Sequence, residues 1–311
     1  MRLDFVHCHG SGNDFPLIDA RGLTLGQDEW AIVARALADR AGPVGGDGLL
    51  LLGEGDADTA VAQVMFNPDG SEAETCLNGL RCVARAGFQA LGLDEAVVRL
   101  KVSTATVARA GEVAPGVYGV RETAGPASLD AAAWPMPGRE RLVEQPVPEL
   151  SATRLFTAVA IPNPHLVAFV ARVDDAELVA IGALCEAAPD WLPNRANVSF
   201  VEVRGSDLFV RTCERGVGLT DSCGSAMAAA TYAACLTGRV PWDTEIAVFN
   251  RGGLVRARAG EDAMVTLVGN ATWNYAGSVE VDLATGIASG LAITQRFPEE
   301  TAAWDRVRAS V

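Results

Sequence analysis

Lysine is all but missing from this chain: of its 25 lysines and arginines, Lys101 alone is a lysine. Basic residues of either kind are outnumbered by 39 acidic ones, giving a net charge of −14 and a pI near 4.7. That balance excludes nucleic acid and anionic membrane surfaces as natural partners. Long apolar runs are lacking too, and none approaches the ~20 residues that cross a bilayer. The opening MRLDFVHCHGSGND has no basic-then-apolar order of a secretory signal, so a cytoplasmic protein is the expectation. Seven cysteines (Cys8, Cys76, Cys82, Cys185, Cys213, Cys223 and Cys235) include no CxxC spacing. An odd, sparse set suits a reducing compartment and offers no zinc site. His7 and His9 flank Cys8, but no second ligand pair matches them, and they read as strand and turn residues; no metal is expected.

What the chain does have is enough apolar residue, 49% against 21% charged, for the cores of two ordinary domains in 311 residues. The pattern is α+β. Strands are expected over 3–6, 15–19, 49–52 and 60–67, with a helix from Asp28 to Ala38 between the second and third. Segments 96–103, 105–110 and 117–121 look like antiparallel strands. The loop GPVGGDG (42–48) resembles a phosphate cradle but lacks the Walker lysine and a following helix, so that role is rejected. Composition shifts to proline after Pro126, with Pro135, Pro137 and Pro146. The expected organisation is a first half over 1–130, a linker over 131–148, a second half over 149–290 and an extension over 291–311. In the second half, strands 196–203 and 207–213 flank Gly205-Ser206 as a hairpin. The apolar stretch after Cys223 reads as a helix buried on all sides.

The stretch from Asn67 to Gly92 carries the first chemical signal. Turn residues Asn67-Pro68-Asp69-Gly70 precede Ser71 and Glu74, which have capping-box spacing. Apolar residues then recur at helical intervals to a closing Gly92. Cys76 thus falls at a helix N-terminus, where free N–H groups and the dipole bind anions and lower a thiol's pKa. By itself this is also where a small core residue could sit. The second half repeats the pattern: Asn67 and Glu214 end strands, and nine residues after each comes a cysteine, Cys76 or Cys223, with a helix behind it. Asn13 precedes Cys76 by 63 residues and Asn163 precedes Cys223 by 60. Two copies of one fold about a pseudo-twofold axis would set the two thiols facing each other across a cleft.

Two facing thiols suit inversion of a carbon that carries hydrogen: one sulfur removes a proton and the other returns one to the opposite face. The α-proton of an amino acid is weakly acidic, so its carboxylate must be stabilised as charge develops. Two helix N-termini converging on it would do so. A pyridoxal cofactor would need a lysine Schiff base; Lys101, in the strand-like VVRLKVS without a phosphate loop, is the one candidate. A cofactor-free mechanism is favoured.

With these residues in view, the chain resembles the diaminopimelate epimerase family over most of its length. HGSGNDF (9–15), NPDGSEAETCLNGLRC (67–82), NPH (163–165), RANVSF (195–200), ERGVG (214–218) and SCGS (222–225) carry the resemblance. It implies a fold of two pseudo-symmetric domains, each an antiparallel sheet or barrel wrapped around a central helix. It implies cofactor-independent conversion of LL- to meso-diaminopimelate, for lysine and cell-wall synthesis, with Cys76 and Cys223 as the acid–base pair and His165 and Glu214 tuning them. Substrate contacts implied by the motifs are Asn13, Asn67, Leu77, Asn78, Asn163, Asn197, Glu214, Arg215, Gly224 and Ser225. Leu77 and Ala226 stand where the family usually has Gly, and Leu219 where it usually has Glu; these positions bear on the exact substrate.

Singly, the asparagines are ordinary turn formers and Glu214-Arg215 an ordinary ion pair; the joint match is what assigns them. Alternatives are a racemase of another amino acid on this scaffold, a cysteine hydrolase using Cys223 and His165, and a non-catalytic amino-acid binding protein. The hydrolase leaves Cys76 unexplained, and binding alone needs no paired thiols. The partner in the leading reading is a small amino-acid substrate, and a homodimer is compatible with a sequence that does not fix its oligomeric state.

Overall fold

The computed structural model describes residues 1–73, 76–132, 134 and 136–311. Glu74 of the expected capping box and Pro135 of the expected linker lie outside the described residues. The chain forms two compact units, Met1–Glu122 with Val268–Ser310, and Thr123–Leu267.

The first unit begins with β1 (Arg2–Gly10), β2 (Asn13–Asp19), α1 (Gln27–Ala38), β3 (Leu49–Glu54), β4 (Val61–Phe66), α2 (Leu77–Leu91), β5 (Glu95–Arg99), β6 (Thr104–Ala110) and β7 (Gly119–Ala124). Neighbouring strands pair in the order β1 to β6, antiparallel for β1–β2, β3–β4 and β5–β6 but parallel for β2–β3 and β4–β5. The α+β class holds, with parallel pairs among the antiparallel ones. Parallel neighbours need a long crossover, which α1 and α2 supply. The amphipathic α2 contacts every strand from β1 to β6, burying Leu80, Val83 and Phe88. Each such side chain contributes about 1.5–3 kcal/mol by leaving water. Gly92 ends the helix at φ 68°, a left-handed conformation that costs glycine little.

The second unit repeats the plan. It contains β8 (Gln145–Pro146), β9 (Leu155–Ile161), β10 (Asn163–Phe169), α3 (Asp175–Glu186), β11 (Asn197–Arg204), β12 (Asp207–Glu214), β13 (Gly218–Thr220), α4 (Gly224–Leu236), β14 (Ile246–Asn250) and β15 (Gly253–Ala259). β9, β10, β11, β12, β14 and β15 pair in that order, with the same alternation of antiparallel and parallel neighbours. Helix α4 is buried from Ala226 through Cys235, as its run of small apolar residues requires. After β16 (Val265–Asn270), β17 (Thr272–Asp282) pairs antiparallel with β1, β18 (Ile287–Arg296) pairs with β17, and α5 (Pro298–Ala309) follows.

Four expectations change. Helix α1 is capped at Gly26, not Asp28; the Gly26 amide donates to Glu29 Oε2 at 2.8 Å. Helix α2 is capped by Cys76, not Ser71, whose hydroxyl is held by Asp69 and Asn67 in the preceding turn. Among the described residues of 131–148, Trp134, Met136, Leu142 and Val147 join the second unit's core. Residues 268–290, expected to end the second half, fall in the first unit, as does the expected extension from 291 to 310.

Candidate active site

In the first unit, the turn between β1 and β2 brings Gly10 opposite Asn13 and lays the backbone against the start of α2. A Cβ on Gly10 would stand 2.4 Å from the carbonyl oxygen of Asn78, so this approach needs glycine. The N-cap sulfur of Cys76 accepts from the Gly79 amide at 3.3 Å. It also lies 3.8 Å from Oδ1 of Asn13, to which the thiol donates. Gln63 Nε2 donates to the Cys76 carbonyl at 3.2 Å. Leu77, beside the sulfur, is half-buried against the first unit's core, which turns the extra side chain inward. Asn67 is engaged in its own turn, with Nδ2 donating to Ser71 Oγ at 2.9 Å.

Behind this turn is a network outside the sequence assignment. The Asn78 side chain is buried, and its Oδ1 accepts from Arg81 Nη2 at 2.7 Å. Arg81 also reaches Ser11 Oγ at 3.1 Å, the Asn270 carbonyl at 3.0 Å and Glu122 at 2.7 Å. Ser11 is at φ 52° and wholly buried, its amide donating to Asn270 Oδ1 at 2.6 Å. The signal available in the sequence was an arginine at i+4 from Leu77 and i−7 from Phe88, on the helix face that packs inward.

In the second unit, Cys223 caps α4 and is buried. Its sulfur is 3.5 Å from Ser225 Oγ. Ser225 is a hub: Asn163 Nδ2 donates to it at 3.3 Å, and His165 Nε2 is 3.1 Å away. His165 is fully buried beside Asn163 Oδ1, at 3.1 Å, and Asn197 Nδ2, at 3.5 Å. Asn197 Oδ1 accepts from the Arg215 amide at 2.9 Å, while the Arg215 guanidinium donates to the Asn194 carbonyl at 3.1 Å. Glu214 accepts from Thr220 Oγ1 at 2.5 Å and hydrogen-bonds Cys223.

Electrostatics here departs from the sequence expectation that helix dipoles pull both thiols toward neutrality. Burial, followed by the Glu214 carboxylate, pushes the Cys223 thiol well above its usual value; Ser225 and the Ala226 amide pull it down less. Burial likewise raises Glu214 against hydrogen bonds from Thr220 and Cys223. Burial, with the Arg215 charge second, lowers His165 to about 3, so its ring is neutral at pH 7. His165 therefore meets Cys223 through Ser225 as a neutral hydrogen-bonding group.

The structure thus gathers Asn13, Asn78 and Cys76 at one helix tip, and Asn163, His165, Asn197, Glu214, Gly224, Ser225 and Cys223 at the equivalent tip. Each cysteine is the N-cap of the helix following the same strand of the repeat, with first-turn amides of Leu77-Asn78 or Gly224-Ser225 beyond it.

The sequence profile of diaminopimelate epimerase matches residues 157–274. A diaminopimelate epimerase of Clostridium acetobutylicum is 38% identical over 290 residues, covering 91% of this chain and 87% of its own. Another, from Enterococcus faecalis, is 38% identical over 92% of each. Among solved structures, a PhzF-family phenazine biosynthesis protein of Bacillus anthracis has TM-score 0.65 at 13% identity, covering 90% of this chain and 100% of that one. A hydroxyproline epimerase from Agrobacterium vitis, with bound trans-4-OH-L-proline, has TM-score 0.63 at 13% identity, covering 91% and 92%. These structures share the fold, and the sequence relatives carry the assignment further: the chain belongs to the diaminopimelate epimerase family, whose members are isomerases.

Proposed function

We propose that this chain inverts the α-carbon of LL-diaminopimelate to give the meso isomer, without a cofactor, by proton exchange between Cys76 and Cys223. The observation that carries the reading is the equivalence of the two thiols, each the N-cap of the helix behind the fourth strand of its repeat. Family membership supports the substrate, and Leu77 packs against the first unit's core.

The chemistry needs one sulfur as thiolate and the other as thiol, reached from opposite faces of the carbon. Cys223, held protonated by burial and by Glu214, enters as the proton donor, and Cys76 as the acceptor; the reverse reaction exchanges the roles. Charge developing on the substrate carboxylate is met by the first-turn amides of Leu77-Asn78 and Gly224-Ser225, fixed donors that need no reorganisation. Asn13, Asn67, Asn163, Asn197, Glu214 and Arg215 hold the rest of the substrate, with Arg215 suited to a distal carboxylate. Lys101, the one amine available for a Schiff base, donates to the Glu72 carbonyl at 3.2 Å and lies 3.7 Å from its carboxylate, a surface arrangement that favours the cofactor-free route.

Among the described residues no helix is long and apolar enough to cross a membrane, and Cys8, Cys82, Cys185, Cys213, Cys223 and Cys235 form no disulfide. A cytoplasmic location fits both. We also propose a homodimer, for which Ile287 and Ile293, exposed on β18, are a reason; sedimentation at twice the 32.5 kDa chain mass would support it.

The test is proton exchange in deuterated water followed by NMR. Diaminopimelate should gain deuterium at the α-carbon with inversion. Exchange confined to another amino acid would move the assignment to a different racemase, and exchange with none would end the catalytic reading. Cys76→Ala and Cys223→Ala should each lower turnover by about two to four orders of magnitude; full turnover in either would rule out two bases.

A further inference from the structure

The loop between α1 and β3 has no part in the roles above, yet its Asp47 reaches the side chain next to Cys76. Asn13 Nδ2 donates to Asp47 Oδ2 at 2.6 Å. A carboxylate only accepts, so the end of the amide turned to Asp47 must be the NH2 end. The other end, Oδ1, is then the one left against Cys76, 3.8 Å from Sγ. Asp47 is itself held in place. Its Oδ1 accepts from Arg40 Nη2 at 2.6 Å, and its Oδ2 also takes the Asp14 amide at 3.2 Å. Arg40 grips both oxygens of Asp14, at 2.9 and 2.6 Å. Asp14 in turn lies 3.3 Å from His7 Nε2, and the His7 ring stacks on Tyr275 with centroids 4.9 Å apart. Among the described residues, the charged and titratable groups that these contacts join to Asn13 are Asp47, Asp14, Arg40 and His7 on one side and Cys76 on the other.

Two contacts of Cys76 act in opposite senses. The Gly79 amide donates into Sγ at 3.3 Å, which favours the thiolate. An amide oxygen does the reverse, since it accepts from S–H and repels S⁻. We propose that Asp47 is a positioning residue that fixes the Asn13 amide with its oxygen toward Cys76, favouring the thiol and keeping the thiolate strongly basic. Its link to catalysis rests on Cys76 being one of the two bases. An α-proton is far less acidic than a thiol, and proton abstraction follows base strength. A helix tip alone would give an abundant but weak base; the opposing acceptor corrects that. Without Asp47, Asn13 is free to turn and donate Nδ2 to sulfur, an arrangement that stabilises the thiolate.

The test reads the sulfur directly and needs no turnover, so it can fail separately from the two-base proposal. The rate of Cys76 alkylation by iodoacetamide is followed against pH, by mass of the Cys76 peptide, in the full chain. Asp47→Ala should bring alkylation to lower pH and accelerate it about three- to tenfold at pH 7, the range expected for gain or loss of one hydrogen bond. Asp47→Glu, which keeps the acceptor, should restore wild-type behaviour. Removing a negative charge also lowers a nearby thiol's pKa, so the same change is made in Asn13→Ala. There it should have much less effect. Equal acceleration in both backgrounds would reduce Asp47 to a remote charge and overturn the proposal, as would no acceleration in either. Thermal melts of Asp47→Ala and Asp47→Glu confirm that folded protein is compared.

Discussion

Arg81 and Glu122 form an ion pair with no solvent exposure on either side chain, Nη1 to Oε1 at 2.7 Å. Its location behind Asn78 and Ser11 makes it the floor under the Cys76 helix tip. Burying two charges gains little stability over a well-packed apolar pair, but removing one partner strands the other. Arg81→Met should therefore cost about 3–5 kcal/mol, whereas Arg81→Met with Glu122→Leu should recover the part due to the stranded charge, while Asn78, Ser11 and the Asn270 carbonyl still lack their donor. Urea unfolding of the two variants checks this. If the double variant is no more stable than the single one, the stranded charge is not the cause.

Acid sensitivity should trace partly to two histidines. Burial lowers both His165 and His9 from 6.5 to about 3. The unfolded chain takes up these protons near pH 6.5, while the folded chain resists until about pH 3. Stability from this source is thus complete above the unfolded pKa and lost as pH falls through that window. Each histidine adds a limiting slope of about 1.4 kcal/mol per pH unit. His165→Gln should flatten the unfolding free energy between pH 6 and pH 4 by about one histidine's share. An unchanged slope would show that His165 titrates normally.

Glu214 raises the Cys223 thiol by its charge, second only to burial. Glu214→Gln removes that charge while keeping a polar side chain. Cys223 should then be alkylated at lower pH than in the parent, with inversion impaired at the same time. Alkylation that moves to higher pH would mean that Glu214 does not hold the thiol protonated.

Gly10 offers a steric test of the site. Its missing Cβ is what allows the Asn78 carbonyl to come within 2.4 Å of where that atom would be. Gly10→Ala should destabilise the first unit by about 1–3 kcal/mol through overpacking and displace the first turn of α2. Turnover should fall more than a melting shift explains. A variant with parental activity would show that this turn tolerates movement.

Local chemistry was legible in the sequence where the determinant was local. Gly92 as a C-terminal stop, the hairpin at Gly205-Ser206 and the helix start at Cys223 each depend on a few adjacent residues. Ser71 misled because side-chain competition decides caps: Asp69 and Asn67 take its hydroxyl before it can serve a helix. The segment 131–148 misled because proline reports backbone regularity, whereas Trp134 and Met136 report burial. The pairing of β1 with β17, Leu3 opposite Val279, joins residues too distant for any periodicity to connect. Asp47 and Arg81 escaped because their partners, Asn13, Glu122 and Asn270, meet only in the fold.

The C-terminal helix has a consequence for how the chain reaches this state. Trp304 of α5 is buried, and Glu300 grips the Arg85 guanidinium of α2 at 2.6 and 2.8 Å. Arg85 is further sandwiched by Tyr118 and Trp273, 4.4 and 4.3 Å from their ring centres. The first unit is therefore incomplete until β17, β18 and α5 have emerged from the ribosome. The second unit, continuous from Thr123 to Leu267, is complete before then. During synthesis, the half that starts first finishes last.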